Sequence, residues 1–356
     1  MCVACQIETQ KTEAFGQTMV QTLNHGALSL MISIAHRTRL FELMSSLGPA
    51  DTNRIAEAGG LQERYVRECL GALVTGGIVA YNTDDKTYRL PPEHAAFLTR
   101  AGCPHNLAVL SQFLTIFGSV EDKLVDCFQR GGGVPYSAYP RFQEVMAEMS
   151  SQTVVFGLVE AIIPLMPGMH ERLENGSRVL DVGCGSGRAM NTLAARYPNS
   201  EFVGYDLSES GVRAARAEAL ARKLTNATFH VQDVTALPET ERFDLITAFD
   251  SIHDQISPDK VLSEVRRMLA DGGTFLMQDI RASSHLEKNL DHPLAPLLYT
   301  FSCTHCMTVS LAAGGQGLGT VWGEELAQSM LAEAGFERVE IHTLPDDIIN
   351  NFYVAR

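Results

Sequence analysis

The chain has 356 residues, 45% of them hydrophobic and 20% charged, which is enough apolar material for two or three globular cores. Its net charge of −14 argues against broad electrostatic attraction to nucleic acid, because that affinity comes largely from neutralised phosphates. Eight cysteines scattered along a chain of this length suit reduced thiols better than a disulfide framework. The stretch Met1–Lys11 is polar and has neither the basic nor the apolar region of a signal peptide. The longest apolar candidate, Ala27–Ile34, is far short of the ~20 residues a bilayer span needs. A cytoplasmic location is therefore expected.

In chain order, Ala27, Leu30, Met31, Ile34 and Ala35 recur on one face of a helix. A short helix over Thr52–Gly60 ends on its glycines, and a second is predicted over Glu63–Val74, with Val66, Leu70, Leu73 and Val74 on one side. Ile78–Leu90 alternates as two short strands around the turn cluster Asn82-Thr83-Asp84-Asp85. Together these make a winged helix-turn-helix over residues 1–100. One use of such a domain is DNA binding through Glu63–Val74 as a recognition helix. The other is dimerisation or lid formation. Residues 1–100 hold nine basic against ten acidic side chains, and Arg64 and Arg67 are balanced by Glu63 and Glu68. Without a basic footprint, dimerisation is the expected role and no nucleic-acid partner is expected.

Residues 101–175 read as a helical connector, and from 176 the texture changes. Strands are predicted over Arg178–Val182, Glu201–Asp206, Thr228–Gln232, Phe243–Phe249 and Thr274–Ile280. Helices over Arg188–Arg196, Glu209–Lys223 and Pro258–Leu269 alternate with them. Such alternation specifies a parallel sheet covered on both faces. Val339–Thr343 and Ile348–Val354, joined by Pro345-Asp346-Asp347, add an antiparallel hairpin at the end.

Ligands of open parallel sheets sit beyond the carboxyl ends of the strands. The first such strand runs into Asp181-Val182-Gly183-Cys184-Gly185-Ser186-Gly187. A dinucleotide fingerprint requires G-x-G-x-x-G. Counted from Gly183 its last glycine falls on Arg188, and counted from Gly185 it falls on Met190, so neither frame fits. Acids follow at three further strand ends: Asp206 in Tyr205-Asp206-Leu207, Asp233 in Gln232-Asp233-Val234, and Asp250 in Phe249-Asp250. Cys184 is expected to pack as a small apolar residue.

The spacing D-x-G-x-G-x-G with these three later motifs, in order, resembles the class I S-adenosylmethionine-dependent methyltransferases. The resemblance covers residues 176–356 and implies a Rossmann-like α/β sheet with a C-terminal antiparallel hairpin, preceded by an all-helical, winged-helix N-terminal domain. It implies that Asp181, Gly183, Gly185 and Gly187 form the S-adenosylmethionine loop and that Asp206, with Leu207, binds the ribose hydroxyls. Asp233 and Val234 would hold the adenine, and Phe249 and Asp250 would lie beside the sulfonium and amino acid portion. Just after the fourth strand, Ser251-Ile252-His253-Asp254 resembles the His-Asp pair of plant caffeate-type O-methyltransferases, in which the histidine is the general base. Gln255 stands where that family has tryptophan. The resemblance thus implies methyl transfer to a small-molecule hydroxyl with His253 as base, in a homodimer. Thiol or nitrogen acceptors are the alternative, and a cofactor-sensing DNA-binding regulator is the alternative of another class.

Residues 281–322 exceed an ordinary connection and are read as a substrate cover. Tyr299, His305, Met307 and Trp322 are its candidate pocket residues, and Gly314-Gly315-x-Gly317-x-Gly319 is read as a flexible run. The pairs Cys2-x-x-Cys5 and Cys303-x-x-Cys306 nominally suit zinc, but nothing in the sequence brings them together, so no metal site is expected.

Overall fold

The computed structural model describes residues 9–236, 240–345 and 347–356, so Cys2 and Cys5 lie outside the described residues. The chain divides into two compact units, one ending at Ile116 and one beginning at Phe117.

In the first unit, α1 (Thr9–Arg37), α2 (Leu40–Leu47), α3 (Thr52–Gly59) and α4 (Glu63–Thr75) precede an antiparallel wing of β1 (Ala80–Asn82) and β2 (Thr87–Arg89). The α3 start is set by Asp51, whose carboxylate accepts the Arg54 N–H at 2.8 Å. Its end is set by Gly60, whose φ of 61° lies in the left-handed region that favours glycine. Ile55, Val66, Leu70 and Leu73 are buried in one core with Phe41 and Met44. On the exposed side of α4, Arg67 pairs with Glu63 at 2.7 Å and Arg64 pairs with Glu68.

The second unit is built on a seven-stranded sheet in the order β5–β4–β3–β6–β7–β9–β8. The strands are β3 (Arg178–Val182), β4 (Glu201–Asp206), β5 (Ala227–Val231), β6 (Phe243–Phe249), β7 (Leu269–Ile280), β8 (Val339–His342) and β9 (Asn350–Ala355). β3 to β7 are parallel, while β9 runs antiparallel to both β7 and β8, so the expected terminal hairpin is present.

Side-chain alternation divides the central strands between two cores. Leu180, Val182, Ile246, Phe275 and Met277 enter one core with Trp322 and Leu331. Val179, Leu245 and Leu276 enter the other with Met190, Leu193 and Val212. Burial on both faces explains why β3 and β6 read as nearly continuous apolar runs. Each fully buried Leu, Ile or Phe contributes roughly 1.5–3 kcal/mol relative to exposure.

β7 begins at Leu269, earlier than Thr274, because the parallel pairing with β6 restarts across an irregularity between Phe243 and Leu245. The preceding helix accordingly stops at Met268. Among the described residues, no single helix is long and apolar enough to cross a membrane. The bent pair Phe142–Val155 and Leu158–Leu165 passes together on length and composition, yet Val154, Leu158, Ile162 and Ile163 are buried in the sheet core.

Candidate active site

β3 ends in a turn whose backbone is tied to the neighbouring strand. The N–H groups of Gly183 and Cys184 both donate to the Tyr205 carbonyl, at 2.8 and 3.1 Å. Gly183 has φ 75°, and a Cβ there would stand 2.5 Å from the Ser251 side chain. Gly187 has φ 69°, and its Cβ would meet Phe229 at 2.5 Å. Gly185 is different. Its φ of 52° also favours glycine, but a Cβ would enter open space. Two of the glycines therefore allow close packing, while the middle one leaves the loop open over a cavity.

That cavity, of about 600 Å³, lies within the second unit. Its lining includes Asp181, Gly183, Gly185, Asp206, Leu207, Asp233, Val234, Phe249 and Asp250. Of the residues expected in the cofactor loop, Gly187 is set back, capping the helix Arg188–Arg196. At the end of β4, each Asp206 oxygen accepts one backbone N–H at 2.7 Å, from Gly185 and from Ser208. A carboxylate offers about four lone-pair sites, so acceptor capacity is left for two neighbouring hydroxyls. The open loop and this carboxylate fit a ribose-bearing cofactor.

Two other carboxyls of the cavity are shifted upward. Burial raises Asp181 to about 7, against the counter-effect of the Thr247 hydroxyl that donates to it at 2.7 Å. Burial also raises Asp250 to about 7, and the neighbouring Asp279 adds to the shift. Asp250 has φ 49° and accepts from Gln278 Nε2 at 2.9 Å. Cys184 is likewise pushed well above the ordinary thiol range by burial, so it stays a neutral thiol.

His253 also lines the cavity and is 3% exposed. Its Nδ1–H donates to Asp279 Oδ1 at 2.7 Å. The same oxygen accepts from Trp322 Nε1 at 3.0 Å and from the Ile280 N–H at 2.8 Å. Nε2 is directed away from Asp279 and lies 3.4 Å from Asp254 Oδ1. Burial opposes the charged imidazole, but the carboxylates of Asp279 and Asp254 outweigh it and hold His253 well above its ordinary value.

The residues expected to cover the substrate are placed differently. Tyr299 is 37% exposed, and its hydroxyl accepts from Asn289 Nδ2 at 3.1 Å. His305 is fully buried, its ring stacked on Phe142 at 3.7 Å, and burial lowers it to about 4. Trp322 lies behind His253 as the partner of Asp279. None of these three, nor Met307, is part of the cavity lining, which instead takes Phe301, Cys306, Val309 and Ser310 from the same segment. The glycine run is pinned: Gln316 N–H donates to the Ile256 carbonyl at 3.1 Å and Gly317 N–H to Ser310 Oγ at 3.1 Å.

Sequence reasoning did not single out Asp279, although it stands at a strand end as Asp206 and Asp250 do. Nor did it find the wall supplied by the helix Phe142–Ser150, from which Phe142, Met146 and Met149 line the cavity. Arg188, the one arginine or lysine among the described lining residues, donates to the Ala147 carbonyl at 2.8 Å and to the Ser151 hydroxyl.

Residues 26–100 match the Rv2258c-like winged HTH domain, and residues 173–335 match a methyltransferase domain. The chain carries a winged-helix domain followed by a methyltransferase domain. A fatty-acid O-methyltransferase of Mycolicibacterium smegmatis is 34% identical over 107 residues, 30% of this chain and 38% of that protein. Methyltransferase GfsG of Streptomyces halstedii is 29% identical over 174 residues, 45% of this chain and 61% of that protein. The matched stretches thus span less than two thirds of these curated relatives, and in the first case well under half.

The likeness of fold extends along the whole chain. The mitomycin 7-O-methyltransferase MmcR aligns over 98% of this chain and 100% of its own, with a TM-score of 0.69 at 17% identity. Human N-acetylserotonin methyltransferase, solved in complex with S-adenosylmethionine, aligns over 100% and 99%, with a TM-score of 0.68 at 16% identity.

Proposed function

We propose that this protein transfers a methyl group from S-adenosylmethionine to a small-molecule acceptor, with a hydroxyl as the leading acceptor class. The observation that carries this reading is that the open glycine loop, Asp206 and the buried His253 line one cavity, with Asp279 bonded to His253 Nδ1 behind it. S-adenosylmethionine supplies, when bound, an electrophilic methyl group on a sulfonium. The names of the matched relatives support the same reaction class.

In this reading Asp206 holds the ribose hydroxyls, the Gly185 backbone admits the cofactor, Asp233 and Val234 meet the adenine, and Phe249 and Asp250 face the sulfonium end. His253 takes the acceptor's proton at Nε2. Asp279 orients the ring through Nδ1 and stabilises the imidazolium that forms. Such a positioned base is worth about 10²–10⁴-fold. A positive charge beside Asp250 favours the neutral imidazole that base chemistry needs. Phe142, Met146, Phe301 and Val309 provide apolar walls that exclude water and align the acceptor.

The winged-helix domain is assigned to pairing two copies of the chain. The support is a stripe on α1 in which Phe15, Met19, Leu23, Leu30 and Ile34 are 66%, 43%, 68%, 44% and 39% exposed. The paired charges on α4 give no comparable support to DNA binding.

The test uses labelled S-adenosylmethionine with panels of hydroxyl, thiol and amine acceptors, alongside calorimetry of cofactor binding. Transfer to a hydroxyl, lost in His253→Ala while cofactor affinity is kept, is the expected result. Transfer only to thiols or amines, or full hydroxyl transfer by His253→Ala at neutral pH, overturns the base assignment. Unchanged cofactor affinity in Asp206→Ala overturns the ribose assignment.

A further inference from the structure

In the sequence the nominal metal donors are two separated cysteine pairs, yet folding brings three ligand types together at one end of the cavity, around Cys306 of the second pair. A ring nitrogen of His253, a carboxylate oxygen of Asp254 and the Cys306 thiol lie within 4.8 Å of one another. They come from two segments more than fifty residues apart, the loop after β6 and the turn of helix at Ser302–Cys306. We infer that His253, Asp254 and Cys306 form a site for a soft divalent cation of the zinc class, and that its occupation shuts off base chemistry at His253.

Four features favour this reading. First, the donor set is imidazole, carboxylate and thiolate, a combination that selects zinc over magnesium or calcium. Second, bonds of about 2.0–2.3 Å to a tetrahedral zinc place its ligands roughly 3.5 Å apart, and His253 Nε2 and Asp254 Oδ1 already stand 3.4 Å apart. Third, Asp254 Oδ1 is buried with no hydrogen-bond partner among the described residues, an acceptor available for a cation. Fourth, His253 Nδ1 is committed to Asp279 at 2.7 Å, the outer carboxylate that zinc-binding histidines ordinarily have. Trp322 and the Ile280 N–H fix that carboxylate in turn.

On metal binding the Cys306 thiol and the His253 Nε2–H give their protons to solvent buffer, leaving a thiolate and a neutral imidazole as ligands. Three protein ligands leave a fourth position open to water. The metal takes Nε2, the nitrogen a general base needs, so metal and acceptor compete while the cofactor loop is untouched. The inhibitory part rests on the base reading of His253, whereas metal binding rests on the geometry alone.

The test is a titration of the full-length, chelator-treated protein with cobalt(II), which reports thiolate and tetrahedral ligation by absorption. The expected result is one equivalent of cobalt with a near-ultraviolet thiolate charge-transfer band, displaced by zinc. Cys306→Ser abolishes the band, Cys303→Ser retains it, and Asp254→Asn weakens binding at least tenfold. No band, or a band that survives in Cys306→Ser, overturns the site. Zinc should also inhibit methyl transfer competitively with acceptor, reversibly by chelator, and inhibition competitive with the cofactor overturns the proposed consequence. Cofactor calorimetry on the same samples separates the two readings: cofactor binding without cobalt binding removes only the metal site, and cobalt binding without methyl transfer removes only the functional reading.

Discussion

Trp322 does not line the cavity that His253 lines, yet both donate to one oxygen of Asp279, at 3.0 and 2.7 Å. The indole thus acts on the histidine through the carboxylate and is a positioning residue. Trp322→Phe keeps most of the packing and removes one hydrogen bond, worth about 1 kcal/mol. Turnover should fall roughly fivefold with cofactor affinity unchanged. Steady-state kinetics with calorimetry checks this, and a loss confined to cofactor binding would contradict the positioning role.

The three glycines of the loop should respond differently to alanine. At Gly187 an added Cβ meets Phe229 at 2.5 Å, so Gly187→Ala should destabilise the fold by several kcal/mol. At Gly185 the Cβ enters open space, and the φ of 52° leaves a cost of about 1–2 kcal/mol. Gly185→Ala should therefore stay folded but bind S-adenosylmethionine at least tenfold more weakly. Urea denaturation and calorimetry on the two variants distinguish packing from ligand access.

Asp181 makes stability depend on pH. Burial raises its folded value to about 7, against about 3.9 in an unfolded chain. The folded state then holds more protons between these values. Its contribution is fully present below about pH 4 and is lost as pH rises through about 7. Asp181→Asn still offers Thr247 an oxygen and should flatten this part of the profile. Denaturant midpoints at pH 5 and pH 8 measure it, and an equal decline in both proteins would assign the pH dependence elsewhere.

The exposed stripe of α1 predicts self-association. Light scattering at micromolar concentration should give a dimer, and Leu23→Glu, placed where Leu23 is 68% exposed, should give a monomer with an intact fold. A wild-type monomer would remove the pairing role.

Legibility in the sequence followed how local each feature is. The glycine loop and Asp206, Asp233 and Asp250 are contiguous motifs at strand ends, and strand ends converge whatever the helices do. The terminal strands were visible from their β-branched and aromatic residues. The cover was not, because an apolar run does not say which side chain faces inward. Residues Ser302–Cys306 wind as a wider π turn, which sets Cys306 toward the cavity and His305 against Phe142. Asp279 carried the same strand-end signal as Asp206, but its meaning depends on Trp322, 43 residues away. The wall from Phe142–Ser150 was seen only as a helix, since amphipathicity does not name its partner.

The bonds from Arg188 to the Ala147 carbonyl and the Ser151 hydroxyl join the helix behind the glycine loop to the helix that walls the acceptor end. They act as a latch between the two halves of the cavity. Two hydrogen bonds from one guanidinium thus hold the helix behind the loop against the helix that carries Phe142 and Met146, and Arg188→Ala frees the two walls of the cavity from each other.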